Sequence, residues 1–264
     1  MVDGTYKIAG VRIGFRSTSE EFGEWVDRTL DRYRMKRWAF PDYSIVVDEG
    51  GGADRRFHLL YKGIAAQMRT RHLPTLARAF LSELETPALA GRNDATYVRA
   101  SLVTMGDVTA LVPFWVGSYV SKMGRRAEKL GLRLPGTEWL ALERSGKVVP
   151  TAPILDLPRD TPERLAEMDG GRNWDRVFVD RPHAVDVVFT WFGEDEGVHG
   201  ISRGLALHRL LNATANISTL GHRAAEPVRR LVEDAEHVGI VGMPPPREMV
   251  DALGEALAGA GGSS

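Results

Sequence analysis

The run Ala184-Val-Asp-Val-Val-Phe-Thr-Trp-Phe constrains this chain more than any other stretch. A short, nearly continuous run of β-branched and aromatic residues reads as a buried strand, and such a strand needs layers to cover it. Two helical patterns follow, Ser202 to Ala213 and Glu226 to Ala235, and then a last strand at His237-Val-Gly-Ile-Val-Gly. Upstream, Tyr97-Val-Arg-Ala-Ser-Leu-Val and Val108-Thr-Ala-Leu-Val-Pro flank a turn at Met105-Gly106-Asp107, which predicts a strand pair. Trp115 to Tyr119, a basic helix from Ser121 to Leu130, a strand from Glu138, a Ser145-Gly146 turn and Val148-Val149 complete the pattern. The expectation is an α/β domain over residues 91–264.

Residues 1–90 read differently. Tyr6 to Phe15 alternates as one strand, Ser19-Glu20-Glu21 opens a helix, and Tyr43-Ser-Ile-Val-Val-Asp, a Gly50-Gly-Gly turn and Phe57-His-Leu-Leu-Tyr suggest further strands. From Ile64 the spacing becomes helical, and Leu73, Leu76, Phe80, Leu81 and Leu84 form a stripe ended by Thr86-Pro87. This predicts a small β-rich N-terminal unit with a bridging helix. With 43% hydrophobic residues in 264, the chain can bury a proper core. It has no cysteine, which removes disulfides, thiolate nucleophiles and cysteine-ligated metals, and a cytoplasmic location is expected. No apolar run approaches the roughly 20 residues that span a bilayer, so no membrane partner is expected. The 34 basic and 35 acidic side chains leave a net charge of −1, which disfavours nucleic acid as a partner.

The order from the hairpin ending at Leu111-Val-Pro113, through a helix and the strand at Glu138, to Val149-Pro150 resembles the P-loop core of HPr-kinase-like proteins. The likeness extends to Ala184–Trp191 and the elements after it. In that family the second hairpin strand runs into Gly-x-Ser-Gly-x-Gly-Lys-Ser-Thr, whose glycines let backbone N–H groups approach phosphates while the lysine neutralises them. Here Phe114 and Tyr119 stand at the first and last of those glycines, and Val120 stands at the lysine. Gly117, Ser118 and Ser121 keep the expected type. Arg99 replaces the histidine of the first hairpin strand, and Thr137 and Glu138 replace the paired acids, leaving Glu138 as a vestigial carboxylate. The resemblance implies a degenerate P-loop domain, a pseudokinase with no catalytic residues, no cofactor and no metal.

Other chemistry finds little support. His58, His72, His183, His199, His208, His222 and His237 lack the His-x-x-x-His spacing of a helical metal site, and Ser101, Ser118 and Ser202 sit in no nucleophile elbow. Glu194-Asp195-Glu196 reads as a solvated hairpin turn. Two basic stretches remain. Arg28, Arg32, Arg34, Lys36 and Arg37 interleave with Trp25, Tyr33, Trp38, Phe40 and Tyr43, and Arg55-Arg56, Lys62, Arg69, Arg71 and Arg78 follow. One reading packs the aromatics in the N-terminal core under arginine stems. The other makes Arg34, Arg37, Trp38 and Tyr43 part of a peptide-binding groove. The resemblance also implies a functional class. HPr-kinase-like proteins act on proteins and peptides, and similar proteins accompany crocagin-type pathways that modify ribosomally made peptides. The expectation is a non-catalytic accessory protein that presents a precursor peptide to modifying enzymes, with an exposed edge strand as the place where its backbone adds. The alternative is a divergent kinase acting on a peptide or small molecule.

Overall fold

The computed structural model describes residues 1–48, 57–136, 138–151, 155, 157–158, 160–161, 182–192, 197–241 and 244–261. Thr137, the Gly50 turn, Arg55-Arg56 and the acidic turn at 194–196 lie outside these residues. The chain forms two units, Met1–Ala88 with Pro153–Asp175, and Leu89–Ala152 with Arg176–Ser264. The first unit therefore takes in a later segment as well as the N-terminal residues.

In the first unit, Ala9 (φ 46°) and Gly10 (φ 87°) adopt left-handed backbone and split the expected first strand into a hairpin. Its strands are β1 (Val2–Ile8) and β2 (Val11–Ser17), joined by a two-residue turn of the kind that fits strand twist. Helix α1 (Glu20–Thr29) follows, with the Ser19 hydroxyl accepting from the Phe22 N–H and Glu20 and Glu21 in the first turn. It carries the chain over to β3 (Tyr43–Val46), parallel to β2. Then β4 (His58–Lys62) and β5 (Ala65–Thr70) complete a five-stranded sheet in chain order. The helical spacing expected from Ile64 gives way to β5, because Gly63 (φ 56°) and Ile64 close a two-residue hairpin turn.

Helix α2 (Leu73–Ala90) covers the sheet, and Phe80 lies 5.1 Å from Phe15 and 5.8 Å from Tyr43, ring centre to ring centre. It also runs straight through Pro87, where the sequence predicted a stop. Proline has no N–H to give the carbonyl four residues back, so Glu83 O loses its helical partner. The Tyr43 hydroxyl donates to that carbonyl at 3.3 Å. Tyr43, expected in a peptide groove, is instead 2% exposed and repairs a helix from inside the core.

The second unit is built on β6 (Thr96–Met105), which pairs with β7 (Val108–Pro113) on one edge. On the other edge it pairs with β8 (Leu132–Gly136) and β9 (Trp139–Leu142). With β10 (Val148–Pro150), β11 (Val187–Phe192), β12 (Gly197–Gly200) and β13 (Glu236–Val241), the sheet runs β10-β9-β6-β7-β11-β13-β12, and β11 is parallel to both β7 and β13. Successive residues of its central strands feed opposite cores. Leu111 and Val188 belong to the cluster with α5 (Arg203–Asn212) and α7 (Ala225–Asp234). Val112, Val187 and Phe189 belong to the cluster with α3 (Phe114–Lys122), α4 (Gly124–Lys129) and α8 (Pro246–Gly261). The short helix α6 (Ile217–Leu220) leads towards α7. Period-two alternation with both faces apolar explains why Val187–Thr190 is buried, whereas Ala184, Asp186 and Trp191 of the expected run are exposed. The protein is thus α/β with a β-rich N-terminal part, and among the described residues no helix is long and apolar enough to cross a membrane.

Candidate functional site

The segment that resembles a P-loop contains no loop. Strand β7 ends at Pro113 and α3 begins at Phe114, so the positions expected to wrap a phosphate are wound into helix. The helix expected from Ser121 to Leu130 starts seven residues earlier and breaks between α3 and α4. Val120 is 3% exposed and belongs to the buried cluster that includes Val112, Ala127 and Leu253. Gly117 survives for packing: a Cβ there would stand 2.1 Å from Ser101 Oγ and 2.4 Å from Ser101 Cβ. The Ser118 hydroxyl donates to Trp115 O at 2.6 Å, and the Tyr119 ring meets Trp115 edge-on at 5.4 Å. Ser121 and Lys122 face solvent.

Around the start of α3, the Arg99 guanidinium lies over the Phe114 ring at 4.3 Å and 5.8 Å from the Trp139 ring. Glu138 has a left-handed backbone (φ 71°), and its carbonyl accepts the Ala100 N–H at 3.1 Å. Phe114, the first residue of α3, thus packs with the Arg99 guanidinium, which also lies within reach of Trp139.

In the first unit, the basic and aromatic stretch divides. Trp25 (2% exposed) and Tyr43 are core, whereas Trp38 (61%) and Phe40 (79%) stand in solvent, their rings edge-on at 6.2 Å. Arg34 pairs with Asp27 at 2.8 Å, and the same carboxylate accepts from the Tyr6 hydroxyl at 2.6 Å. Burial first, then that bond to Asp27, pushes the Tyr6 phenol well up. Arg37 is exposed. Four of the expected groove residues are therefore split between a core position, an ion pair and a solvent-facing loop.

That loop is held firmly. Met35 N–H donates to Thr5 O at 2.7 Å, Ala39 N–H to Thr5 Oγ1 at 3.0 Å, and Asp42 bridges Gly14 through both backbone and side chain. Gly14 permits the approach: a Cβ there would lie 2.0 Å from Phe40 O.

Strand β5 offers a second feature, which the sequence pattern concealed by reading as helix. It closes one side of the sheet, residues 65–67 and 69 are exposed, and among the described residues no strand pairs with its outer edge. Arg69 and Arg71 stack on Phe57 at 3.7 and 5.0 Å, and among the described residues neither makes an ion pair.

An ion pair stands just before β6. The Arg92 guanidinium, with Tyr97 as a second donor, holds the Asp94 carboxyl down at about 2, and burial followed by Asp94 pushes the Tyr97 phenol up to about 12. Because the Asp94 pKa is depressed on folding, its small stabilisation is complete above the usual carboxylate range and is lost as pH falls towards 2. Among the described residues no three His, Asp or Glu side chains come together as a metal site. Comparisons of the chain with protein-family models, with curated proteins and with solved structures give no match.

Proposed function

We propose that this protein is a non-catalytic peptide-binding protein in which the free edge of β5 receives an extended peptide. The observation that carries this reading is that edge: six residues of strand whose outer side pairs with no strand among the described residues, and two arginines beside it. An unpaired edge is a template for main-chain hydrogen bonds, and nearby side chains then select the sequence. Arg69 and Arg71, held by stacking on Phe57, select acidic residues. The HPr-kinase-like resemblance supplies the class of peptide, a ribosomally made precursor presented to modifying enzymes. Its lost glycines, its valine at the lysine position and the helical backbone of 114–121 support the non-catalytic half of the reading.

The test is the affinity of the full chain for a synthetic copy of each short peptide encoded beside its gene. Arg69→Glu with Arg71→Glu is expected to weaken binding by about tenfold, about 1.4 kcal/mol, with an unchanged melting temperature and a smaller salt dependence. Equal affinity for the parent and the double variant, or no binding of any such peptide, contradicts the reading.

A further inference from the structure

A second surface lies at one end of the same sheet. Phe40 O abuts Gly14, Asp42 is hydrogen-bonded to Gly14, and the Gly63 N–H at the β4–β5 turn donates to Asp42 O at 2.8 Å. Asp42 thus gathers the loop carrying Trp38 and Phe40 and the turn carrying Ile64 to one place. Ile64 is 102% exposed, as open as in an unfolded peptide. Large apolar side chains in such positions carry a hydration cost that folding does nothing to relieve.

The charges around them are one-sided. Lys7, Arg12, Lys36 and Arg37 are exposed, and among the described residues none of them makes an ion pair. Within residues 4–14, 34–42 and 61–69, Asp42 is the single acidic side chain and accepts from the Gly14 N–H; Glu83 and Asp27 reach these segments from elsewhere, and each is already paired, with Lys62 and with Arg34. The apolar residues project from a loop and a two-residue turn, so the surface is convex. Two concavities of this unit, one lined by Asp27, Arg28, Asp31, Arg34 and Pro158 and one by Met1, Thr18, Glu20, Glu21 and Glu24, lie on other residues.

We infer that this tip docks on an anionic bilayer surface, with Trp38, Phe40 and Ile64 entering the interface and the lysines and arginines meeting lipid phosphates. Tryptophan and phenylalanine beside cations are the residues that partition into the headgroup region, and anionic lipids attract the cations that surround them. A flat lipid surface accepts an apolar tip without a pocket, whereas a peptide needs a groove or an open strand edge, and the loop at 34–42 and the turn at 63–64 are neither. A second copy of the chain would bring four cations against four. The rigid hydrogen bonding of the loop keeps its aromatics displayed, so docking costs little ordering entropy. Such contact needs no spanning segment, and it leaves the β5 edge open, so this inference stands independently of the peptide reading.

The absence of cysteine makes the test direct. Ile64→Cys and, at an exposed position of α1, Glu24→Cys each give one site for an environment-sensitive fluorophore. Mixed with vesicles of phosphatidylcholine and phosphatidylglycerol, the label at 64 is expected to brighten and shift to the blue while the label at 24 stays constant. The protein is expected to sediment with these vesicles and not with pure phosphatidylcholine. Binding should fall by about tenfold or more between about 0.1 M and about 1 M salt, as the screening length drops from about 10 Å to about 3 Å. Lys36→Glu with Arg37→Glu, and Trp38→Ala with Phe40→Ala, should each abolish sedimentation with the fold intact by circular dichroism. Equal responses at 64 and 24, binding that survives either double variant, or no vesicle binding at low salt overturns the inference. A label at 64 that answers to peptide and not to vesicles would overturn it too and assign the tip to the peptide.

Discussion

Two aromatic-rich segments of this chain begin from similar residues and end in opposite places. Residues 114–121, with Phe114, Trp115 and Tyr119, become helix: Val116, Gly117 and Val120 are buried, Trp115 and Tyr119 pack half-buried against that core, and Ser118 and Ser121 stay outside. Residues 34–42, with Trp38 and Phe40, are tied by hydrogen bonds to β1 and β2 and still present their rings to water. Folding absorbs the first segment and displays the second. A displayed apolar residue on a firmly held backbone contributes nothing to the fold by its exposure.

The sharpest way to break the contrast is to place a lysine where the resembled P-loop would carry one. Val120→Lys buries an amine with no counter-ion, which is expected to cost about 3–5 kcal/mol of stability. It should yield no saturable ATP–Mg binding by calorimetry. A stable variant that binds nucleotide would show that 114–121 can open into a loop.

Gly117→Ala comes next, with a loss of about 1–3 kcal/mol from overpacking against Ser101. Ser101→Gly in the same chain should restore most of it, measured by denaturant unfolding, because it removes the colliding Cβ and hydroxyl. A loss without rescue would mean that Gly117 is kept for something other than this contact.

Tyr43→Phe is expected to cost about 1–2 kcal/mol, since it strands the Glu83 carbonyl in the core. Pro87→Ala supplies a new N–H to that carbonyl, so the Tyr43→Phe penalty should shrink when the two are combined. Additive effects would contradict the proposed repair of the helix.

The smallest effects belong to the displayed segment. Trp38→Ala and Phe40→Ala should change stability by no more than about 0.5 kcal/mol, as surface substitutions do. A cost of several kcal/mol would move both residues into the core class and erase the contrast.

Much of this architecture is readable in the sequence, for physical reasons that also explain the failures. The β6–β7 hairpin, β11, α5 and α7 follow from local patterns: alternation around Gly106, an unbroken apolar run and the Ser202 cap. The extension of α2 through Pro87 depends on a hydroxyl 40 residues away, which no local pattern contains. The separation of Trp25 from Trp38 follows spacing, since Phe22, Trp25, Val26 and Thr29 share one buried stripe of α1 while Trp38 and Phe40 belong to no helix. Strand β5 was obscured because Ala-Ala-Gln-Met suits a helix as well as a strand. The signal present was Gly63, placed first in a two-residue turn. Whether an arginine is paired or available is set by tertiary neighbours, so Arg34 and Arg37 look alike in sequence and differ in the fold.

The central claim, that the surface of the first unit does the work while 114–121 serves as core, is tested most directly by amide hydrogen exchange on the full chain. Three samples suffice: the chain alone, with a synthetic copy of a short peptide encoded beside its gene, and with ATP and magnesium. Peptide is expected to slow exchange in β5, residues 65–70, and to leave α3 unchanged, and nucleotide is expected to change neither. Slowed exchange at the start of α3 on adding ATP and magnesium, with β5 indifferent to peptide, would contradict it.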